Sequence, residues 1–177
     1  LHLIVEAIKL AVVDRFTFMG DVGLKQLLTS TLTSKAYARE RAKALDRSAA
    51  TAPRAGDIWS VMECSMPDAF PAPAGIPLDG AIKEGTTTLT TVDKARNAVS
   101  LTQTNYSFGG VVAGGSGIVM NNGMGWCCPI PGTVNSVIPR SKPLNNMTPM
   151  ILLRDGRFYS ALGASGGRRI WTAIVQS

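Results

Sequence analysis

Apolar residues recur at helical spacing through the first eighteen positions of the chain. The spacing is i, i+4, i+7 and i+8, at Leu3, Ala7, Leu10 and Ala11. This pattern predicts a helix over 1–18 that is ended by Gly20. A second helix is predicted over 35–45, where Ala, Arg and Lys predominate and where Thr33 or Ser34 can supply the cap.

A proline-rich segment then separates this helical pattern from a strand pattern. Five prolines between positions 48 and 85 indicate a loop or an exposed linker. β-branched residues beyond it predict strands over 87–93 and 98–104, which a turn at 94–97 joins into a hairpin.

The last third of the chain continues the strand pattern. A glycine-rich loop over 109–117 leads to a short predicted strand over 118–120. A second hairpin is predicted over 149–162, with Asp155 and Gly156 at its turn, and a final helix starts at Arg168. Helices followed by a linker, strands and another helix indicate an α+β fold.

The composition excludes several classes of protein and site. With 45% hydrophobic and 17% charged residues among 177, the chain is globular, and no apolar run is long enough for a membrane span. The only histidine is His2, which argues against a Ser-His-Asp triad, a Cys-His dyad or a histidine-rich metal site. The cysteines Cys64, Cys127 and Cys128 lack the spacing of a disulfide framework or a zinc finger.

The net charge of +6 is unevenly distributed. Asp155 is the only carboxylate residue after position 100, so paired-carboxylate chemistry is excluded from that part of the chain. The basic residues are scattered and aromatic residues make up 6%, a pattern that argues against nucleic acid as a partner. An anionic substrate or an acidic partner segment explains the charge better.

A hydrolase without a histidine needs another base, and Gly85 followed by Thr86 offers one. An N-terminal nucleophile uses its own α-amino group, whose ordinary pKa is about 8, as the base. Such a residue must first be released by cleavage of the preceding peptide bond. The expected context is an exposed linker, a small residue and then a threonine that starts a strand. On composition alone an ordinary strand remains the alternative.

Ordered sequence blocks across nearly the whole chain resemble the γ-glutamyltransferase (γ-glutamyltranspeptidase) family. The blocks that resemble the start of the small subunit are GTTTLTTVD at 85–93, NAVSLTQT at 97–104, SGIVMNN at 116–122, KPL at 142–144, MTP at 147–149, DGR at 155–157 and GASGGRRI at 163–170. Those that resemble the end of the large subunit are Glu6, Ala7, Ala11, Asp14, Arg15, Gly20, Asp21 and KAYA at 35–38.

This resemblance implies an αββα sandwich of the N-terminal nucleophile hydrolases, incomplete in this chain. It divides the chain into a large-subunit-like region at 1–85, including the linker 48–85, and a small-subunit-like catalytic region at 86–177. The implied processing site is Gly85–Thr86, with Thr86 as nucleophile. Thr104 matches the threonine that hydrogen bonds the nucleophile, and Gly166 and Gly167 match the glycines that hold the oxyanion.

The resemblance also implies partners and a location. The substrate would be a small amide such as a γ-glutamyl compound or a related acyl amide, and the remaining large- and small-subunit segments would be protein partners. Neither a metal nor an organic cofactor is implied. The implied location is periplasmic or extracellular, with a cytoplasmic location left open.

Several positions depart from the γ-glutamyl pattern, and they favour the acylase-like branch of the family. Gly123 and Trp126 stand where the family has a polar and an acidic residue that bind the substrate α-amino group. A tryptophan cannot supply that negative charge, so Trp126 is either a substrate contact or a lid or core aromatic. Asn145 and Asn146 replace a serine pair, and the amide of Asn146 can still donate to the oxyanion. The shorter loop after Thr104 leaves open whether Asn105 matches the family's substrate-binding asparagine.

The leading hypothesis is therefore an amidohydrolase or acyltransferase that cleaves itself before Thr86 and forms an acyl-enzyme there. One alternative is an unprocessed, inactive family member that binds without turnover. The other is a structural fragment that acts as an assembly module.

Overall fold

The computed structural model describes residues 1–74, 85–105 and 109–177. Its helices are α1 His2–Phe18, α2 Lys25–Leu32, α3 Lys35–Ala42, α4 Ile58–Val61 and α5 Ile170–Gln176. Its strands are β1 Thr86–Val92, β2 Ala98–Thr104, β3 Met150–Arg154 and β4 Arg157–Leu162, and 3-10 helices cover Gly123–Trp126 and Gly167–Arg169. The α+β prediction is confirmed. The chain forms two units, Leu1–Leu78 with Trp126–Leu144 and Asp79–Gly125 with Asn145–Ser177.

The predicted first helix is confirmed as α1, which starts one residue later than expected and ends at Phe18. The chain continues into an extended residue, Met19. Gly20 follows, and a Cβ atom at this position would overlap the carbonyl oxygen of Val134. Only glycine therefore lets the chain pass this close to the neighbouring backbone.

Ser34, one of the two predicted caps, begins helix α3. Its Oγ accepts a hydrogen bond from the backbone N–H of Tyr37 at 3.0 Å. The α-helix ends at Ala42, three residues before the predicted end. The backbone N–H groups of residues 43–45 bond to carbonyls three residues earlier, so this last turn is tighter than an α-helix.

Helix α2 is not predicted by the sequence pattern. The hydroxyl groups of Thr29, Ser30 and Thr31 donate to backbone carbonyls three or four residues earlier in the helix. Residues of this type favour helices weakly, which hides the helix from a sequence pattern. Leu28 is fully buried, so tertiary packing rather than intrinsic propensity holds α2 in place.

The core of the first unit combines side chains from four helices. These are Phe18, Leu28, Tyr37 and Ile58. Trp59 packs edge-on against Phe18 and Phe70, with ring centroids 6.4 and 5.0 Å apart. Such aromatic pairs contribute about 0.5–1.5 kcal/mol beyond the area they bury.

Helix α4 lies inside the proline-rich segment that was predicted to be loop or linker. The Oδ1 atom of Asp57 accepts a hydrogen bond from the Ser60 N–H at 3.0 Å, and Ile58 is fully buried. The loop prediction is wrong for these four residues, because so short a helix has no periodic pattern to detect. Residues 75–84 of the predicted linker lie outside the described residues.

Two buried carboxylates of α1 accept hydrogen bonds from α3 and from the segment that follows it. Glu6 accepts hydrogen bonds from the N–H and the hydroxyl of Thr51 at 3.1 and 2.8 Å. Asp14 accepts from Arg41 Nε and from the Gly56 N–H, both at 2.8 Å. Both positions belong to the blocks that resemble the large subunit, and here each has a structural role because it satisfies buried donors.

The second unit contains two antiparallel hairpins, and both were predicted. Strand β1 pairs with β2 so that Thr86 lies opposite Thr104 and Val92 lies opposite Ala98. Strand β3 pairs with β4, and their turn places Asp155 and Gly156 at φ 52° and 74°. Positive φ at both residues is the geometry that a two-residue hairpin turn favours.

Two further predictions about this unit need correction. Among the described residues, 118–120 form no strand, and one isolated bridge pairs Val112 with Val119 instead. The loop between them turns back through Gly115 and Gly117, both at positive φ, so the pairing is too short for a ladder. The last α-helix starts at Ile170 rather than Arg168, because a 3-10 turn takes up Gly167–Arg169.

None of the helices in the described ranges combines the length and apolar character needed to cross a bilayer.

We expect acid to destabilise the first unit through Glu6. Hydrogen bonds from the Lys9 ammonium and from Thr51 lower the pKa of Glu6 from 4.5 to about 2. Folding thus favours the charged form of Glu6. The charged carboxylate contributes its full stabilisation of the folded protein above the pKa that Glu6 has in the unfolded chain, and this contribution is lost as the pH falls through about 2. Urea unfolding measured at a series of pH values from about 6 down to about 2.5 should show that the free energy of unfolding decreases as the pH is lowered.

In the Glu6→Gln variant this fall should be smaller, because an amide does not titrate. Glu63→Gln, at an exposed glutamate, is the matched control and should keep the wild-type profile. Identical pH profiles for wild type and Glu6→Gln would contradict this role of Glu6.

Candidate active site

Two threonine hydroxyls meet at the open end of the β1–β2 hairpin. Thr86 is the first residue of β1 and Thr104 is the last residue of β2, and the antiparallel register places them opposite each other. The Thr104 Oγ1 donates a hydrogen bond to the Thr86 Oγ1 at 2.7 Å. Thr104 is buried and Thr86 is half-buried, so one hydroxyl is fixed and the other can be reached.

The turn at the other end of the hairpin sets this register. Asp93 accepts hydrogen bonds from both the backbone N–H and the side-chain amide of Asn97, each at 2.8 Å. These bonds lower the pKa of Asp93, so the carboxylate stays charged. Arg96, which lies in the turn between Asp93 and Asn97, has a positive φ of 67°. Because a shift by one residue would move every side chain to the opposite face, this turn also decides that Thr86 faces Thr104.

Asn121 supports the Thr104 side of the pair, a role that sequence reasoning missed. Its Nδ2 donates to the Thr104 carbonyl at 3.3 Å, and its Oδ1 accepts from the Gly123 N–H at 3.1 Å. Asn121 lies in the block SGIVMNN at 116–122, which resembles the small subunit. Its place in that block is the sequence feature that could have indicated a role at the site.

Gly166 and Gly167 form a turn between β4 and α5. Their φ values are 128° and 58°, a region of backbone conformation that favours glycine. Gly167 is buried and begins the 3-10 turn, and the Gly166 carbonyl accepts from the Arg169 N–H at 3.1 Å. Backbone N–H groups on such a turn can approach a ligand closely because no Cβ atom blocks them.

The neighbouring residues Asn145 and Asn146 have different environments. Asn145 is exposed, and its Oδ1 accepts from the Met147 N–H at 3.0 Å. Asn146 is 4% exposed, and its Nδ2 has no hydrogen-bond partner among the described residues. A buried donor without a partner carries a desolvation cost of about 1–3 kcal/mol, which an oxygen atom of a ligand would relieve.

The other predicted site residues lie at the margins of these elements. Gly85 is exposed directly before β1, and a Cβ atom there would contact nothing within 4 Å. Asn105 is exposed directly after β2. Trp126 is half-buried at the end of a 3-10 helix, where its carbonyl accepts from Asn135 Nδ2 at 2.7 Å. Trp126 belongs to the first unit and the other predicted site residues belong to the second.

The predicted site residues of the second unit therefore supply hydroxyls, side-chain amides and backbone N–H donors. The chain's histidine, His2, bonds to the Asp46 carbonyl in the first unit. Within residues 1–74, 85–105 and 109–177, no group of three or more His, Cys, Asp or Glu side chains is arranged to hold a metal ion. A hydroxyl paired with a second hydroxyl can act as a nucleophile once a base accepts its proton.

Comparison with known proteins identifies the family of the chain. Residues 1–177 match the family model described as Gamma-glutamyltranspeptidase. The Glutathione hydrolase proenzyme of Escherichia coli (strain K12) is 33% identical over 189 residues, covering 99% of this chain and 30% of that protein. The Acylase ACY 1 proenzyme of Pseudomonas sp. (strain SE83) is 33% identical over 178 residues, covering 99% of this chain and 28% of that protein.

Among solved structures, the chain is similar to the Gamma-glutamyltranspeptidase from Pseudomonas nitroreducens complexed with L-DON. The TM-score is 0.45 at 36% identity, over 51% of this chain and 53% of that one. By contrast, the chain spans less than a third of the length of the two proenzymes that it matches in sequence.

Replacing Thr104 with valine should destabilise the second unit by about 1 kcal/mol, the net value of one hydrogen bond. The substitution keeps the shape of the buried side chain but removes the donor to Thr86. Thr104→Ser keeps the hydroxyl and is the matched control. Urea unfolding measures the difference, and equal stability of the valine variant and the wild type would contradict a stabilising bond.

Proposed function

The chain belongs to the γ-glutamyltranspeptidase family and carries part of its N-terminal nucleophile hydrolase fold, and on that premise we propose that Thr86 is the nucleophile of a self-cleaving amidohydrolase or acyltransferase. The observation that carries this proposal is the 2.7 Å hydrogen bond from Thr104 Oγ1 to Thr86 Oγ1. It joins the hydroxyl of Thr86, which starts a strand directly after an exposed glycine, to the hydroxyl of the residue opposite it at the end of β2. The boundary at 85/86 is the division that we propose between the large-subunit-like and small-subunit-like regions.

Self-cleavage would use the Thr86 hydroxyl against the neighbouring carbonyl. The Oγ1 attacks the Gly85 carbonyl carbon, the 85–86 C–N bond breaks, and an ester forms while the amine of Thr86 is released. Water then hydrolyses the ester to give a Gly85 carboxylate and a free Thr86 hydroxyl. The exposure of Gly85 and the open space around it support this step, and two relatives carry the name proenzyme.

The released amine of Thr86 would then be the base for catalysis. It accepts the hydroxyl proton as Oγ1 attacks the substrate amide carbon, and it returns a proton to the amine that leaves. Thr104 donates to Oγ1 and orients it. The acyl group is held as an ester on Thr86 until water takes it, giving hydrolysis, or an amine takes it, giving transfer.

The oxyanion of this reaction needs preorganised donors. We assign this role to the backbone N–H groups of Gly166 and Gly167 and to the unpartnered Nδ2 of Asn146. Preorganised donors of this kind are worth about 10²–10³-fold in rate each, because they need no reorganisation when charge develops.

For the substrate we propose a γ-glutamyl compound or a related acyl amide. Relatives named glutathione hydrolase and acylase match this chain at the same identity of 33%. The position of the acidic residue that would pair with an α-ammonium is taken by Trp126, which favours an acyl group without that charge. The roles of Asn105, Asn145 and Trp126 as substrate contacts are part of this proposal, and so is a periplasmic or extracellular location.

Intact mass after denaturation is the first test of the proposal. We expect two pieces, one ending at Gly85 and one beginning at Thr86, and a single uncut species for Thr86→Ala. Thr87→Ala, one residue along on the exposed face of β1, is the matched control and should still be cut. A wild-type chain that stays whole over days would instead support an inactive binding or assembly module.

The pH dependence of turnover tests the identity of the base. Because the α-amine must be neutral to accept a proton, kcat should rise with pH through about 8, measured on a γ-glutamyl anilide or on an acyl anilide without the α-amino group, whichever the enzyme turns over. Acetylating the α-amine of the processed enzyme should abolish turnover while leaving the fold intact. A flat profile together with an active acetylated enzyme would rule out Thr86 as its own base.

A further inference from the structure

A row of hydroxyl groups extends inward from the Thr86–Thr104 pair. Alternate residues of β1 and β2 face each other across the hairpin and form the pairs Thr86–Thr104, Thr88–Thr102 and Thr90–Ser100. We call these six residues the hydroxyl ladder. Thr102 and Thr104 are buried, whereas Leu89 and Leu101 on the opposite face are exposed, so most of the ladder lies on the interior face of the hairpin.

The inner part of the ladder contacts the end of strand β4. Ser100 Oγ donates a hydrogen bond to the Leu162 carbonyl at 2.7 Å. The next residue, Gly163, passes so close to the ladder that a Cβ atom there would overlap Thr88 Oγ1. Thr88 Oγ1 is itself held, because it donates to the Leu101 carbonyl at 3.2 Å and lies 3.4 Å from Thr102 Oγ1.

This contact joins the two halves of the proposed catalytic machinery. One half is the hairpin that carries Thr86 and Thr104, and the other is the turn at Gly166 and Gly167, which begins three residues after Gly163. A hydrogen bond to a backbone carbonyl fixes both the distance and the direction of approach. The end of β4 is therefore tied to the strands of the nucleophile shortly before the glycine turn.

We propose that Ser100 and Thr88 are positioning residues that set the glycine turn against the nucleophile. The inference rests on the proposed function, because it assigns these residues to the reaction of Thr86. Neither residue needs to touch the substrate. They act by holding two segments whose separation decides whether the oxyanion lies within reach of its donors, and a displacement of about 1 Å in such a site can cost about 10²-fold in rate.

The test compares Ser100→Ala with Ser100→Thr in the full-length protein. A chromogenic γ-glutamyl anilide and an acyl anilide that lacks the α-amino group are the substrates, and rates are normalised to active sites titrated with a covalent acylating label. We expect Ser100→Ala to lower kcat by about 10- to 100-fold on the substrate that the wild type turns over, with KM within about twofold. Ser100→Thr keeps the hydroxyl and should restore most of kcat.

Two further variants separate positioning from simple stabilisation. Thr91→Ala lies on the exposed face of β1 and should keep wild-type kcat. Gly163→Ala pushes against Thr88 and should lower kcat in the same way as Ser100→Ala. Self-cleavage before Thr86 uses the same hydroxyl, and its half-time should lengthen in Ser100→Ala when the melting temperature shows that the variant is folded.

The outcomes distinguish this inference from the proposed function. A wild-type protein that neither cleaves itself nor turns over either substrate overturns both. An active wild type with a Ser100→Ala variant that has a lower melting temperature but an unchanged kcat per titrated site overturns the positioning role alone. A Ser100→Thr variant as slow as Ser100→Ala would do the same, because the hydroxyl would then not be the group that matters.

Discussion

The antiparallel register of strands β1 and β2 is the constraint on which the second unit depends. It is set at the turn by the bonds between Asp93 and Asn97, and it places Thr86 and Thr104 opposite each other seven residues away along the strands. Thr102 and Thr104 then present their hydroxyls to the interior, and Leu89 and Leu101 lie exposed on the opposite face. A single choice of register therefore determines the reactive pair, the support behind it and the residues on the exposed face of the hairpin.

The contacts that α1 makes in the first unit differ in kind from those around the Thr86–Thr104 pair in the second. In the first, charged side chains of α1 satisfy donors from α3 and from the segment after it, and aromatic and aliphatic side chains together form the core. In the second, neutral hydroxyls and backbone groups make the contacts around the Thr86–Thr104 pair. Because neutral hydroxyls do not titrate near neutral pH, such a support keeps its geometry over the pH range in which an amine base changes its charge.

Much of this organisation was predictable from local sequence signals. Helix α1 follows from apolar spacing, Ser34 from cap chemistry, and both hairpins from β-branched runs and their turn residues. Helices α2 and α4 were missed because they depend on the burial of Leu28 and Ile58, which is decided by distant parts of the chain. The Thr86–Thr104 pair was expected from resemblance, whereas Ser100 was not, since its partner Leu162 lies 62 residues away and no local pattern links them.

The close approach of Gly163 to Thr88 also has a consequence for how this sequence can change. The volume that any side chain at 163 needs is already occupied by the hydroxyl of residue 88. The two positions are therefore energetically coupled, and the effect of a substitution at one depends on the residue at the other. A directed-evolution library that varies residues 88 and 163 together can therefore find pairs of residues that fit this space, which a library that changes one position at a time would miss.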